Sequence, residues 1–437
     1  MQRDPNWSVL VLTDFFFPDS TGGANRVAYY TSRGLAERGH RVRLVTRRIS
    51  PGHSPHEAID GFDVYRYDLP AKSAIAFQRS ARRCIWNILD TLREKDRFSP
   101  DLLIIHQPLL AAAVRRHPML RDIPWVYTFH SPWGEEFLIS RDDRTREGAS
   151  RRPATWLHGK IRALIEASVL RRCQTVLVLS AFMEERLKRL HRVNGRVVIV
   201  PGGVDIDAFC PAPNVEQVRQ ELNLPRGRFI LLTVRNLRKR MGLANLIRAI
   251  ASLGETDDEV HLVLAGKGEL EGELRTLARE MNVAHRITFP GHIAERNLPR
   301  YYQAADLFIL PTEHLEGFGM STLEALATGT PVVGTPVGAT PEILRQIGEG
   351  WLTRDSSSEA LAEKIIDRVK WMTAHPVGYQ SLRLACRDVA VRNHAWSDII
   401  ARWEDVCDRV IMAEGKGTRT IGVTPVIHER LRQIQER

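Results

Sequence analysis

The sequence lacks any apolar stretch approaching the roughly 18 residues that a membrane-spanning helix requires. Its 437 residues therefore read as two or three globular domains of ordinary size. The N-terminal run VLVLTDFFF is interrupted by Asp14, follows the acidic Asp4 and precedes no small-residue cleavage site, so it reads as a first strand rather than a leader. Cysteine is scarce: Cys84, Cys173, Cys210, Cys386 and Cys407 are scattered and include no C-x-x-C pair. Reduced, mostly buried thiols in a cytoplasmic protein are expected. Motifs of several chemistries are missing too. No D-x-D, H-E-x-x-H or Cys/His cluster has ligand spacing, and Asp142–Asp143 sits in a polar, arginine-rich stretch that reads as a surface loop, so no essential metal is expected. Without G-x-G-x-x-G a nicotinamide or flavin role has no support, and without a Walker loop or G-x-S-x-G elbow neither do kinase and hydrolase chemistries.

Acidic residues run short in one half only. Residues 1–200 carry 33 basic against 21 acidic side chains and the remainder 29 against 31. The net positive charge thus belongs to the first half, most densely to RRPATWLHGKIRALIEASVLRR at 151–172. Such a bias points to an anionic partner: a phospholipid surface, a lipid-linked phosphate or an acidic glycan. No nucleic-acid recognition motif accompanies it. In the same segment Trp156, Leu157, Ile161, Leu164 and Ile165 have the spacing of a core-facing stripe.

What is abundant is alternation of strand-length apolar runs with amphipathic helical stretches, which implies parallel α/β sheets. Strands are expected near Val9–Leu12, Val42–Val45, Val64–Tyr67, Leu102–His106, Trp125–Phe129, Thr175–Leu179 and Val197–Val200. A second series follows at Phe229–Val234, Val260–Ala265, Ile287–Phe289, Leu307–Leu310, Val332–Val333 and Trp351–Leu352. Between them PGGVDIDAFCPAPN (201–214), dense in Gly and Pro, marks a boundary. The pattern predicts two Rossmann-like domains facing across a cleft, residues 1–203 and 204–392. A helix over 393–412 crosses back to the first domain, and a tail over 413–437 looks mobile, with one last helix near Val426–Gln435.

The most informative segment is LEGFGMSTLEALATGTPVVGTPVGATPEI at 315–343. Glu316 and Glu324 are eight positions apart, about two helical turns, so a loop entering a helix near Met320 brings both carboxylates to one end of it. Free backbone N–H groups and the dipole at that end favour a phosphate-like anion, while ionised carboxylates accept from hydroxyls. Phosphate donors beside hydroxyl acceptors describe a sugar nucleotide. In open α/β sheets ligands bind beyond the carboxyl ends of strands, where this loop and three further features lie. Gly22 and Gly23 in STGGANR permit close backbone approach to a phosphate or sugar. His130 ends the strand WVYTF, with His106 on the neighbouring strand as its competitor, and an imidazole there can bond a sugar hydroxyl or diphosphate oxygen. In TVRNLRKRMGL, Arg235, Arg238, Lys239 and Arg240 offer cations for a departing diphosphate.

These residues resemble glycosyltransferase family 4, the retaining, metal-independent enzymes of the GT-B fold that use activated sugar donors. The resemblance runs from TGGANR through TFHSPWGEE, PGGVD and the RMGL loop to YYQAADLFILPTEHLEGFGMSTLEALATGTPVVGTPVG. It implies that Glu316 binds the donor sugar's hydroxyls and that amides of Gly317, Phe318, Gly319 and Met320 hold sugar and diphosphate. By the same resemblance Glu324 would accept from the ribose, Gly23 would approach the phosphates, His130 would lie beside the transferred sugar, and backbone near Ile293, with the Gly266 loop, would contact the base. The family's usual arginine and lysine are here Asn236 and Met241, which shifts the diphosphate clamp to Arg235 and Arg240. No cofactor is expected, only the nucleotide-diphosphate sugar as co-substrate. The implied mechanism is front-face displacement through an oxocarbenium-like state, with the leaving diphosphate helping to deprotonate the acceptor. A glycan, a lipid-linked precursor at the inner membrane surface and a secondary metabolite all remain open as acceptor. Alternatives on the same scaffold are a sugar-nucleotide epimerase, a glycosyl phosphorylase or a non-catalytic sugar-nucleotide-binding subunit.

Overall fold

The computed structural model describes residues 7–20, 22–69, 74–144, 152–253 and 260–414. Eight strands form the first sheet: β1 (Ser8–Leu12), β2 (Arg41–Arg47), β3 (His56–Ile59), β4 (Phe62–Tyr67), β5 (Leu102–Ile105), β6 (Trp125–Phe129), β7 (Thr175–Val178) and β8 (Arg196–Ile199), in the order β3-β4-β2-β1-β5-β6-β7-β8. Five more form the second: β9 (Phe229–Val234), β10 (Val260–Ala265), β11 (Ile287–Gly291), β12 (Leu307–Leu310) and β13 (Val332–Gly334), in the order β11-β10-β9-β12-β13. Helices cover both faces of each sheet, so the central strands are apolar at nearly every position: every residue of β5, β10 and β12 is buried. Residues such as Trp125, Tyr127, Tyr302 and Phe308 fill the space between sheet and helices.

The strand order locates a crevice in each sheet. β1 pairs with β2 on one side and β5 on the other, while β9 pairs with β10 and β12. At such a switch the connections leave in opposite directions, and the loops beyond the carboxyl ends part to leave room for a ligand. Thr13 and His106 therefore lie at the mouth of the first sheet, and Arg235 and the 311–319 loop at the mouth of the second.

Among the described residues the last three helices are Ser358–Ala374, Pro376–His394 and Trp396–Glu414. The last returns to the first sheet's side. Trp396 stacks on Tyr30 with ring centroids 4.9 Å apart, Arg38 pairs with Glu404 at 3.1 Å, and buried Trp403 lies against His106. Where the chain passes between domains, Val204 N–H donates to His394 C=O at 2.8 Å. The two crossings run side by side because Gly203 lies under Trp396: a β-carbon there would be 2.5 Å from the indole.

Several expectations need correction. Trp351–Leu352 is not a strand, since Glu349–Trp351 is a 3-10 turn and Leu352 makes one isolated bridge to Gly334. Gly348 and Gly350 give that apolar pair no extended run to join. β3 was not anticipated. It pairs only with β4, antiparallel, and its half-exposed residues lack the apolar alternation of an inner strand. Asp142–Asp143 continue the helix Trp133–Arg144 instead of forming a loop. The stripe expected to face the core faces outward: in the helix Pro153–Leu170, Trp156 is 50% exposed, Leu157 52%, Ile161 44% and Leu164 69%, and Ile165 is half-buried. Its inner face is Gly159, Glu166, Val169 and Leu170. Periodicity locates an apolar arc, and here the close approach of Gly159 to Gly134 and Leu138 of the preceding helix decides which arc turns in. The described cysteines are all free, with Cys173, Cys386 and Cys407 buried. The tail beyond Glu414, including Val426–Gln435, lies outside the described residues.

Candidate active site

The segment after β12 turns sharply. Leu315 takes a left-handed conformation (φ 56°), which costs a bulky residue about 1–2 kcal/mol, and Glu316 follows it. Gly338 presses on that turn so closely that a β-carbon would sit on the Glu316 carbonyl oxygen, and Ala339 N–H donates to the same oxygen at 3.0 Å. Gly319 (φ 97°) then starts the helix Met320–Ala327 without a side-chain cap. No capping side chain competes for the Met320 and Ser321 amides, while Thr322 N–H donates to the Gly319 carbonyl at 2.9 Å.

Both acids are buried and paired. Glu316 Oε2 accepts from Arg235 Nη2 at 2.5 Å and from Thr312 Oγ1 at 3.0 Å. Glu324 accepts from the Tyr302 hydroxyl at 2.7 Å and from Arg26. Arg26, in the first helix after Gly22–Gly23, also reaches Glu295 at 2.7 Å. Burial pushes the Glu295 carboxyl up despite Arg26, and pushes the Tyr302 phenol well up, helped by Glu324. Arg240 binds the turn through the Leu315 carbonyl at 2.8 Å, and Asn236 is exposed.

The opposite wall closes on this one. A β-carbon on Gly23 would be 3.3 Å from Met320 Cγ, and one on Gly317 would be 2.8 Å from the His130 carbonyl oxygen. Ser180 Oγ donates to the Gly317 carbonyl at 2.8 Å, and the Ala181 and Phe182 amides donate to the Glu342 carboxylate at 2.8 and 2.7 Å. His130 Nε2 lies 3.0 Å from His106 Nδ1. Burial lowers both imidazoles, His130 to about 4, so the pair is neutral near pH 7, one ring donating and the other accepting. Phe318 packs its ring against Gly202 and faces His394, while Ile293 lies half-buried two residues before Glu295.

The buried polar atoms around these loops that have no partner include His130 Nδ1, Arg235 Nε, Ser321 Oγ and Thr322 Oγ1. An unpaired buried donor costs about 1–3 kcal/mol, and a cluster of them at a cleft is what a polar ligand relieves. Gly23, His130, Glu316, Glu324, Arg235 and the Gly317–Met320 turn are thus gathered at one cleft, with Arg240 behind the turn. Sequence reasoning gave no role to Arg26, Tyr302, Thr312, Ser321 or Thr322. Arg26 carried a usable signal, a cation just inside the glycine turn, whereas the others are ordinary helix and loop residues until folded. Among the described residues no group of three or more His, Cys, Asp or Glu side chains is placed to hold a metal ion.

Residues 21–208 match the family model described as Glycosyltransferase Family 4, and residues 214–370 match that of Glycosyl transferases group 1. The chain belongs to these glycosyltransferases. It is 31% identical over 219 residues to a GDP-mannose-dependent alpha-(1-6)-phosphatidylinositol monomannoside mannosyltransferase of Mycobacterium tuberculosis, a match covering 47% of this chain and 57% of that protein. The chain therefore spans little more than half the length of that relative. A D-inositol 3-phosphate glycosyltransferase of Thermomonospora curvata is 27% identical over 370 residues, covering 80% and 82%. Sucrose-phosphate synthase from Thermosynechococcus elongatus superposes with a TM-score of 0.76 at 21% identity, over 93% of this chain and 100% of that one. Anabaena HepE in complex with UDP and glucose does so at 0.70 and 17%, over 92% and 100%. These likenesses establish the GT-B fold for this chain.

Proposed function

We propose that the protein is a retaining, metal-independent glycosyltransferase that moves a sugar from a nucleotide-diphosphate sugar to an acceptor hydroxyl on a phosphate-bearing or lipid-linked molecule. The observation that carries the reading is the cluster of unpaired buried atoms of His130, Arg235, Ser321 and Thr322 beside the uncapped helix start at Met320. Amides and hydroxyls there suit a diphosphate, and the carboxylates of Glu316 and Glu324 suit sugar and ribose hydroxyls. Arg235, held on Glu316, keeps its Nε–H for a diphosphate oxygen, and Arg240 braces the turn that presents the amides. The protein contributes chiefly positioning and stabilisation of the leaving charge in a water-poor cleft. The leaving diphosphate itself assists acceptor deprotonation on the same face. The excess positive charge of residues 1–200 supports an anionic acceptor, as do the two relatives' names, one of which contains phosphatidylinositol monomannoside and the other D-inositol 3-phosphate.

A thermal-shift screen against UDP, GDP, ADP, TDP and their sugar conjugates tests this reading. Ligand that binds only the folded state stabilises it by about 2.7 kcal/mol at a hundredfold excess over Kd, so one nucleotide family should raise the unfolding midpoint with metal chelated. No shift with any of them in folded protein, together with release of sugar phosphate from a glycan by inorganic phosphate, would replace it with a phosphorylase.

A further inference from the structure

Among the described residues, four of the exposed large hydrophobic side chains lie together on the outward face of the helix Pro153–Leu170, and the donor site leaves them unexplained. At 100° per residue, Pro153, Trp156, Leu157, Lys160, Ile161 and Leu164 share an arc of about 140°. All six are exposed, while the buried residues of the helix lie on the opposite side. A helix of a soluble domain ordinarily turns its apolar arc inward, and exposed contiguous apolar groups mark an interaction surface.

Charge selects the partner. Between residues 152 and 172 the one acidic side chain is Glu166, and it is fully buried, accepting from Tyr127 and from the Trp133 amide. Arg152, Lys160 and Arg171 are exposed, and Lys160 lies over the Trp156 ring. A partner must therefore accept large apolar side chains and meet several cations at the margin of the same face. A second copy docking face to face would set Arg152 and Lys160 against themselves. An anionic lipid surface offers acyl chains for Trp156, Leu157 and Leu164 and phosphates for the cations.

We propose that this helix docks the protein on an anionic lipid bilayer. The site's position gives the docking a use. The helix packs through Gly159 on Gly134, in the first turn of the helix that starts three residues after His130, so the lipid-facing surface is one helix away from the acceptor side of the cleft. The inference deepens the lipid-linked-acceptor part of the functional reading, yet its test needs neither donor nor acceptor.

The full chain is sedimented with vesicles of phosphatidylcholine alone or with about one third phosphatidylglycerol, at low and high salt. Wild type should partition onto the anionic vesicles at low salt. Leu157→Asp/Leu164→Asp should lower that partition at least about tenfold with an unchanged thermal midpoint. Lys160→Glu should weaken binding to the anionic vesicles, and brominated acyl chains should quench a fluorescence component that Trp156→Phe removes. Three outcomes would overturn the proposal: no sedimentation of wild type with anionic vesicles, equal binding by the double variant, or a concentration-dependent dimer of wild type that the double variant abolishes. Donor-induced thermal shifts measured in parallel report on the transferase reading separately.

Discussion

Arg26 and Glu324 join the two domains through one buried ion pair. The arginine comes from the helix that the glycine turn after β1 opens, the carboxylate from the helix after β12, and Glu295 and Tyr302 complete the group. Both side chains are largely shielded, at 13% and 7% exposure, so the pair is screened far less than a surface one. It ties domain closure to the same carboxylate that is proposed to bind the ribose.

Removing one partner should therefore cost more than removing both. Arg26→Met is expected to destabilise by about 3–5 kcal/mol by leaving a buried charge unpaired. Arg26→Met/Glu324→Gln should recover part of that loss, with a coupling of about 1–3 kcal/mol in a double-mutant cycle from urea unfolding. A coupling near zero would mean the two residues do not pair in solution.

The two acids should separate in binding and turnover. Glu324→Ala is expected to weaken nucleoside-diphosphate binding itself, whereas Glu316→Ala should cut kcat by about 100-fold or more with a smaller effect on that affinity. Calorimetry with the nucleoside diphosphate and steady-state kinetics distinguish them, and equal losses of diphosphate affinity would contradict the division of roles.

His106 fixes the neighbouring imidazole. With its Nδ1 3.0 Å from His130 Nε2, it selects the tautomer and therefore what His130 Nδ1 offers the cleft. His106→Phe should lower kcat about tenfold or more with little change in donor affinity, and His106→Asn, which restores a hydrogen-bonding group, should recover part of it. A KM effect alone would assign His106 to packing.

Buried histidines give the fold an acid-side weakness. His394, like His130, is lowered by burial to about 4 from 6.5. The unfolded chain takes up these protons below about pH 6.5 while the folded one does not. Stability is thus complete above pH 6.5 and declines as pH falls towards 4, by up to about 3 kcal/mol per group. Urea unfolding at pH 7 and 4.5 should show a smaller acid loss in His394→Gln than in wild type.

Glycine at the crossover is held by contact. Gly203→Ala would set a methyl group 2.5 Å from the Trp396 ring and should cost about 1–3 kcal/mol. Gly272→Ala, in the helix Glu271–Glu280 with nothing within 4 Å, should be neutral or stabilise by up to about 1 kcal/mol. Thermal melts of the two variants should move in opposite directions or diverge by several degrees.

The strands that carry the site were legible because burial on both faces demands unbroken apolar runs such as LLII, WVYTF, FILLTV and LFIL. The glycine turns and the Glu316–Glu324 spacing were legible because only certain residues permit such backbone paths. Edge strand β3 was not, since an edge needs no continuous apolar pattern, and Trp351–Leu352 misled because two apolar residues do not make a strand.

By itself the sequence determined the alternation of strands and helices, the glycine turns at strand ends and the carboxylates two helical turns apart, all of them properties of local backbone geometry and side-chain period. Only the tertiary structure decided that Arg26 crosses the cleft to Glu324, that His106 pairs with His130, and that the apolar stripe at Trp156–Leu164 turns outward. Those relationships join residues 298 apart, 24 apart, or one helix to its neighbour. They depend on which surfaces can approach closely, and no local propensity encodes that.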